Sequence, residues 1–147
     1  MAAVTISMVI KITILLAAFV TVYTSIYGYV NNAKETSYYL QMKDIGEYVQ
    51  EKALYALETT SVYGKNSTHL IKLPYLNFFY SVELSCDDYF VVNVSADVIS
   101  RRFESRDFMN CSNINASGKV MAGEKCLITE KVNQTYYNIK LVNNCGL

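Results

Sequence analysis

Residues Ile12–Val30, ITILLAAFVTVYTSIYGYV, form nineteen consecutive positions without a charge, and no other feature restricts this chain so strongly. A helix that is apolar on every face must be buried on every face. The run extends upstream through MAAVTISMVI, and Lys11 is the only charged side chain between Met1 and Val30. Three burial schemes compete. A cleaved secretory signal fits poorly, because the apolar region is too long and TVYTSIYGYV has bulky aromatics where small residues are needed. A single-pass anchor at Ile12–Val30 has the right length, with Lys11 at the cytoplasmic face and Tyr23, Tyr27 and Tyr29 near the outer interface. It leaves MAAVTISMVI unexplained. Sliding the span to Ala2–Val22 covers those residues but places Lys11 near mid-bilayer, at a cost of several kcal/mol. The third scheme stores the helix in a membrane and then packs it among identical helices. Ala2, Ala3, Ala17, Ala18 and Gly28 would allow close approach, and Lys11 could reach a carbonyl or hydroxyl on a neighbour. The candidate contact residues are Ile6, Val9, Ile10, Lys11, Ile14, Ala17, Ala18, Thr21 and Gly28.

The helix does not stop at Val30. No proline occurs before Pro74, and from Asn31 the pattern becomes amphipathic. Tyr38, Met42, Ile45, Val49, Ala53 and Ala56 recur every three or four residues, with most charges between them. Gly46 is unfavourable inside a helix but tolerable where a partner packs close. One helix from about Ala2 to about Thr60, roughly 90 Å long, is predicted, with its second half packed on the rest of the chain. The domain reading is 1–60 for the helix (1–30 apolar, 31–60 amphipathic) and 61–147 for a head.

The head is small for a self-sufficient core and would benefit from covalent staples. Cys86, Cys111, Cys126 and Cys145 all lie in it. None shares a close C-x-x-C spacing, and His69 is the only histidine. Two disulfides formed in an oxidising compartment fit this better than metal binding, and three pairings are open. Export is also indicated by five N-x-S/T sequons, at Asn66, Asn93, Asn110, Asn115 and Asn133, where composition alone would give about two. The C-terminal half therefore reads as extracytoplasmic and glycosylated. Net charge is zero, so nothing points to nucleic acid or an anionic surface as a partner.

From Ile71 the hydrophobic period switches to two. In LNFFYSVEL, Phe78, Tyr80, Val82 and Leu84 alternate with Asn77, Phe79, Ser81 and Glu83. YFVVNVS, ADVISRRF, KCLITEKV and QTYYNIKLV read as further strands, and the last two form a hairpin around Asn133–Gln134. CDD, NCSNINASGK and VNQ read as turns or loops. Five or six strands give an α+β class: a long N-terminal hydrophobic helix followed by a small antiparallel sheet or sandwich.

Catalytic chemistry finds little support. Asp87–Asp88 reads as a solvated turn, and Glu104 and Asp107 beside Arg101, Arg102 and Arg106 read as surface ion pairs. There is no Gly-rich phosphate loop, metal-ligand cluster or nucleophile elbow. No enzyme activity, metal or cofactor is expected, and the tyrosines are assigned to core, interface and adhesive surface.

An unbroken apolar helix, MAAVTISMVIKITILLAAFVTVYTSIYGYV, continuing into an amphipathic one and then a stapled, sequon-rich β head resembles the type IV pilin superfamily. Within it, the archaeal adhesive pilins and archaellum filament proteins are the nearest match. The resemblance covers the whole chain by architecture. It implies a subunit that polymerises helically after membrane insertion, handled by a pilus assembly machinery, with helices in the filament core and heads outside at the cell surface. Thr5 stands where bacterial members usually carry glutamate, a departure that many archaeal members share. The family's short charged leader is not in this sequence; Met1 is then the mature N-terminus, or the chain is an unprocessed relative that stays in the membrane. The other functional class is a single-pass protein whose ectodomain grips another envelope component, as an archaellum-associated anchor would.

Overall fold

A computed structural model describes residues 2–99 and 101–145, without the side chains of 2–5 and 108–110. One helix, α1 (Ala2–Tyr63), is followed by eight strands: β1 (Ser67–Leu73), β2 (Tyr80–Cys86), β3 (Tyr89–Ala96), β4 (Arg102–Asn110), β5 (Ile114–Ser117), β6 (Lys119–Met121), β7 (Gly123–Lys131) and β8 (Tyr137–Val142). The class is α+β. Compactness divides the chain into residues 1–37 and 38–147, so the second half of α1 belongs with the head.

Residues 2–37 of α1 belong to one unit by themselves. Every large hydrophobic from Ile6 to Val30 is between 42% and 76% exposed. Four hydroxyls of this stretch are satisfied inside the helix: Thr13 donates to the Val9 carbonyl at 2.9 Å, Thr21 to Ala17 at 2.8 Å, Thr24 to Val20 at 3.0 Å and Ser25 to Thr21 at 2.8 Å. Such back-bonding removes the polarity that would otherwise make these residues poor neighbours for apolar surroundings.

In the head, residues 38–63 of α1 bury one stripe: Met42, Ile45, Val49, Ala53, Ala56 and Thr60. The helix ends where Gly64, at φ +66°, donates its N–H to the Thr60 carbonyl at 3.0 Å. A glycine is favoured there because the left-handed conformation penalises a Cβ. Thr60 Oγ1 lies 2.9 Å from Ser67 Oγ, tying the end of α1 to the start of β1.

Two four-stranded sheets enclose that stripe. One has the order β1-β7-β8-β5 and the other β4-β3-β2-β6. All pairs are antiparallel except β5 with β8, which is parallel. Alternate residues point inward, Tyr80, Val82 and Leu84 from β2, Phe90, Val92 and Val94 from β3, Ile139 and Leu141 from β8, as a two-residue period requires. The sheets meet at Gly118, between β5 and β6. Its φ is +123°, its carbonyl accepts the Leu84 N–H at 2.9 Å, and a Cβ there would strike the Leu141 backbone. Only glycine allows the chain to step from one sheet to the other at that point.

The structure has eight strands among the described residues rather than five or six, and differs from the sequence reading in four places. In LNFFYSVEL, Asn77 and Phe78 form a bend and β2 begins only at Tyr80. β1 starts at Ser67, four residues before Ile71. ADVISRRF is interrupted by a turn at Asp97–Val98, so β4 begins at Arg102. NCSNINASGK is not all loop, since a 3-10 turn (Cys111–Asn113) leads into β5 and then β6. The predicted β7–β8 hairpin is present.

Candidate functional site

The largest unsatisfied surface is the apolar part of α1. Ile6, Val9, Ile10, Lys11, Ile14, Ala17, Ala18, Thr21 and Gly28 are all exposed, and a Cβ on Gly28 would meet nothing within 4 Å. Sixteen large hydrophobics stand open between Ile6 and Val30. Burying them is worth roughly 20 kcal/mol or more at 1.5–3 kcal/mol each, beyond the about 5–15 kcal/mol that holds a whole domain together. This surface therefore has to be covered by lipid or protein. The helix is long and apolar enough to cross a membrane.

The head meets its own needs differently. Cys86 pairs with Cys111 and Cys126 with Cys145, with Cα–Cα distances of 5.6 and 5.2 Å. The first bond ties the end of β2 to the turn after β4. The second covers the outer face of β7, where Cys126 is buried beside core-facing Leu127. Against β4, Gln50 on α1 accepts from Ser105 Oγ and donates to Asp107 Oδ2 at 3.2 Å. Next to it, Phe103 occupies the space that a side chain at Gly46 would need. These contacts fix the rotation of α1 against the sheet; the sequence reading identified neither Gln50 nor Ser105, and assigned Asp107 to a surface ion pair.

Of the sequon asparagines, Asn66, Asn115 and Asn133 are exposed, Asn93 is half-buried in the middle of β3, and the side chain of Asn110 lies outside the described residues. Asn66 Oδ1 accepts the Lys131 N–H at 3.0 Å, which leaves its amide nitrogen available. Asn133 Oδ1 accepts from the N–H groups of Thr135 and Tyr136 at 3.0 and 2.8 Å. This is a side-chain-closed turn, and it explains by itself why asparagine and threonine stand there.

The groups with chemical potential lie apart from one another, except that Asp87, Asp88, Glu104 and Arg106 line one open hollow. Asp87 and Asp88 sit in the bend between β2 and β3, and Glu104 pairs with Arg106 at 2.5 Å on the outer face of β4. Hydrogen bonding to Glu104, and then its charge, raises the Arg106 pKa further. Asp107, expected in an ion pair, faces Gln50 instead. His69 packs edge-on against Tyr55 at 5.6 Å, its Nε2 buried and unpartnered. Tyr80 donates its hydroxyl to the Pro74 carbonyl at 2.6 Å; burial first, and Tyr75 second, push its pKa up to about 12. Among the described residues no group of three His, Cys, Asp or Glu could hold a metal ion.

Comparison with known proteins finds no matching family model, no matching curated protein and no matching solved structure.

Proposed function

We propose that this chain is the structural subunit of an extracellular, type IV pilus-like filament, polymerising through the apolar half of α1 and displaying a glycosylated β head for adhesion. The observation that carries the reading is the contrast within one helix. Residues 38–63 bury one apolar stripe against their own head, whereas the stretch Ile6–Val30 buries none of its large hydrophobics and presents apolar surface all round. Copies of the same helix would supply cover of matching length and character, including around Met1–Ile10, which the Ile12–Val30 membrane register leaves stranded. The hydroxyls bonded within the helix suit dry packing among neighbours as well as storage in lipid before assembly.

A second reading is a membrane-anchored ectodomain that binds another envelope component; the span-length apolar helix favours it equally. A detergent-free surface preparation examined by electron microscopy separates the two. Filaments containing this chain are expected, and monomers confined to the membrane fraction would sink the filament reading. Ala17→Glu should reduce filaments at least tenfold, because an unpaired carboxylate in a dry helix contact costs several kcal/mol. The two disulfides of the head should still form in that variant.

A further inference from the structure

The head has two chemically different ends. At one, Tyr38 packs on Phe78 at 4.8 Å, β1 finishes at Leu73 beside Gly123, and β2 starts at Tyr80 beside Ala96. At the other, Thr60 meets Ser67 and the β7–β8 hairpin turns at Asn133. Asn66 and Asn133 lie at this second end, and Asn115 is one residue inside it, level with Glu130 and Asn138. Asn93 sits midway, paired with Glu83 and Glu104. The Tyr38 end has no sequon.

That end carries a groove of about 320 Å³, lined by residues 75–80 with Met121 and Ala122, none of them charged. Tyr75 and Phe79 form its rim at 84% and 80% exposure, and Met121 is 63% exposed. The rim is not loose. Phe78 is wedged between Tyr38 and Tyr80, the Tyr80 hydroxyl holds the Pro74 carbonyl, and Gly123, at φ +109°, leaves room for the Tyr75 ring. A preformed, uncharged, aromatic-walled groove is the usual form of a site that takes an apolar side-chain cluster.

We infer that this groove receives the segment Tyr23–Val30 of α1 from a second copy of the chain. The inference rests on the filament reading and adds to it a head-to-helix contact. Both surfaces lack charge, so neither loses ion hydration on contact. Tyr23, Tyr27 and Tyr29 are exposed, Tyr23 and Tyr27 stack on each other at 6.4 Å, and among the described residues none of the three has a partner ring outside its own helix. Their rings match the Tyr75–Phe79 rim, and their hydroxyls find Asn77 as a polar partner. The part of the helix around Lys11 would bring a cation to a groove with no acid. The absence of sequons at this end keeps any attached glycan away from the contact.

The test uses the full chain in detergent-free surface filaments or membranes, with the photo-cross-linker p-benzoylphenylalanine replacing Phe79 in one variant and Val20 in another. Co-expression with a differently tagged copy marks dimers between chains. The expected result is a covalent dimer from both, with the Phe79 probe attached within the tryptic peptide between Lys11 and Lys34. If the Val20 probe gives dimers while the Phe79 probe captures only lipid, another protein, its own chain or a different peptide of the second copy, this contact is overturned and the filament reading survives. If neither probe links two copies, both fall.

Discussion

Gly46 reverses the ordinary rule for helix interiors. Glycine to alanine normally stabilises an exposed helix by about 1 kcal/mol, but a Cβ at this position would be driven into the Phe103 ring, with Val94 Cγ2 at 3.3 Å. Gly46→Ala should therefore destabilise the head by about 1–3 kcal/mol, read as a lower denaturation midpoint; a gain would mean that α1 does not approach β3 and β4 this closely. Tyr80 gives a pH-dependent counterpart. Its folded pKa of about 12 lies above the ordinary 10, so between those values the unfolded chain has released a proton that the folded head retains. The contribution is complete below pH 10 and is lost as pH rises toward 12. Denaturation at pH 9 and pH 11 should show wild type losing more stability than Tyr80→Phe, whose own cost at pH 9 is about 1 kcal/mol for the missing hydrogen bond. The buried stripe of α1 could be read from sequence because apolar residues recur at helical spacing. Gln50 could not: a glutamine on a helix is ordinary, and its partner Asp107 is 57 positions away.

Among the elements, those with strong alternation were legible and those held by context were not. β2 and β3 follow their inward-facing valines, leucine and phenylalanine, and the β7–β8 hairpin follows Asn133. β5 and β6 come from Asn-, Ser- and Gly-rich sequence whose local preference is for turns. They become strands because β8 on one side and β2 on the other offer ladders, and because the Cys86–Cys111 bond holds the preceding turn against β2. Sequence spacing left the pairing of the cysteines open, since only the sheet order brings each to its partner. Both bonds constrain the unfolded chain across separations of 25 and 19 residues. Replacing Cys126 and Cys145 by alanine should cost about 3 kcal/mol, measured by urea denaturation under non-reducing conditions. A loss below 1 kcal/mol would show that the outer face of β7 is held by something else.

For the whole molecule, the division after residue 37 predicts which piece can stand alone. A fragment of residues 38–147 should be soluble and unfold cooperatively, whereas residues 61–147 should expose core-facing Val82, Val94 and Leu127 and aggregate, because Met42, Ile45, Val49 and Ala53 are missing. Size-exclusion chromatography with near-ultraviolet circular dichroism distinguishes these outcomes, and equal behaviour of the two fragments would refute the shared core. The groove at the Tyr38 end could not be found from sequence, which marks Phe79 as outward-facing but cannot bring Met121 beside it. The strand order also sets a schedule. The sheet β4-β3-β2-β6 has all its strands once Met121 exists, but β8 lies inside the other sheet, between β7 and β5. A chain synthesised N-terminus first must hold β5 without its parallel neighbour until β8 has been made. Closure of this sheet therefore waits for β8, and a copy cut before β8 would leave β7 and β5 unjoined.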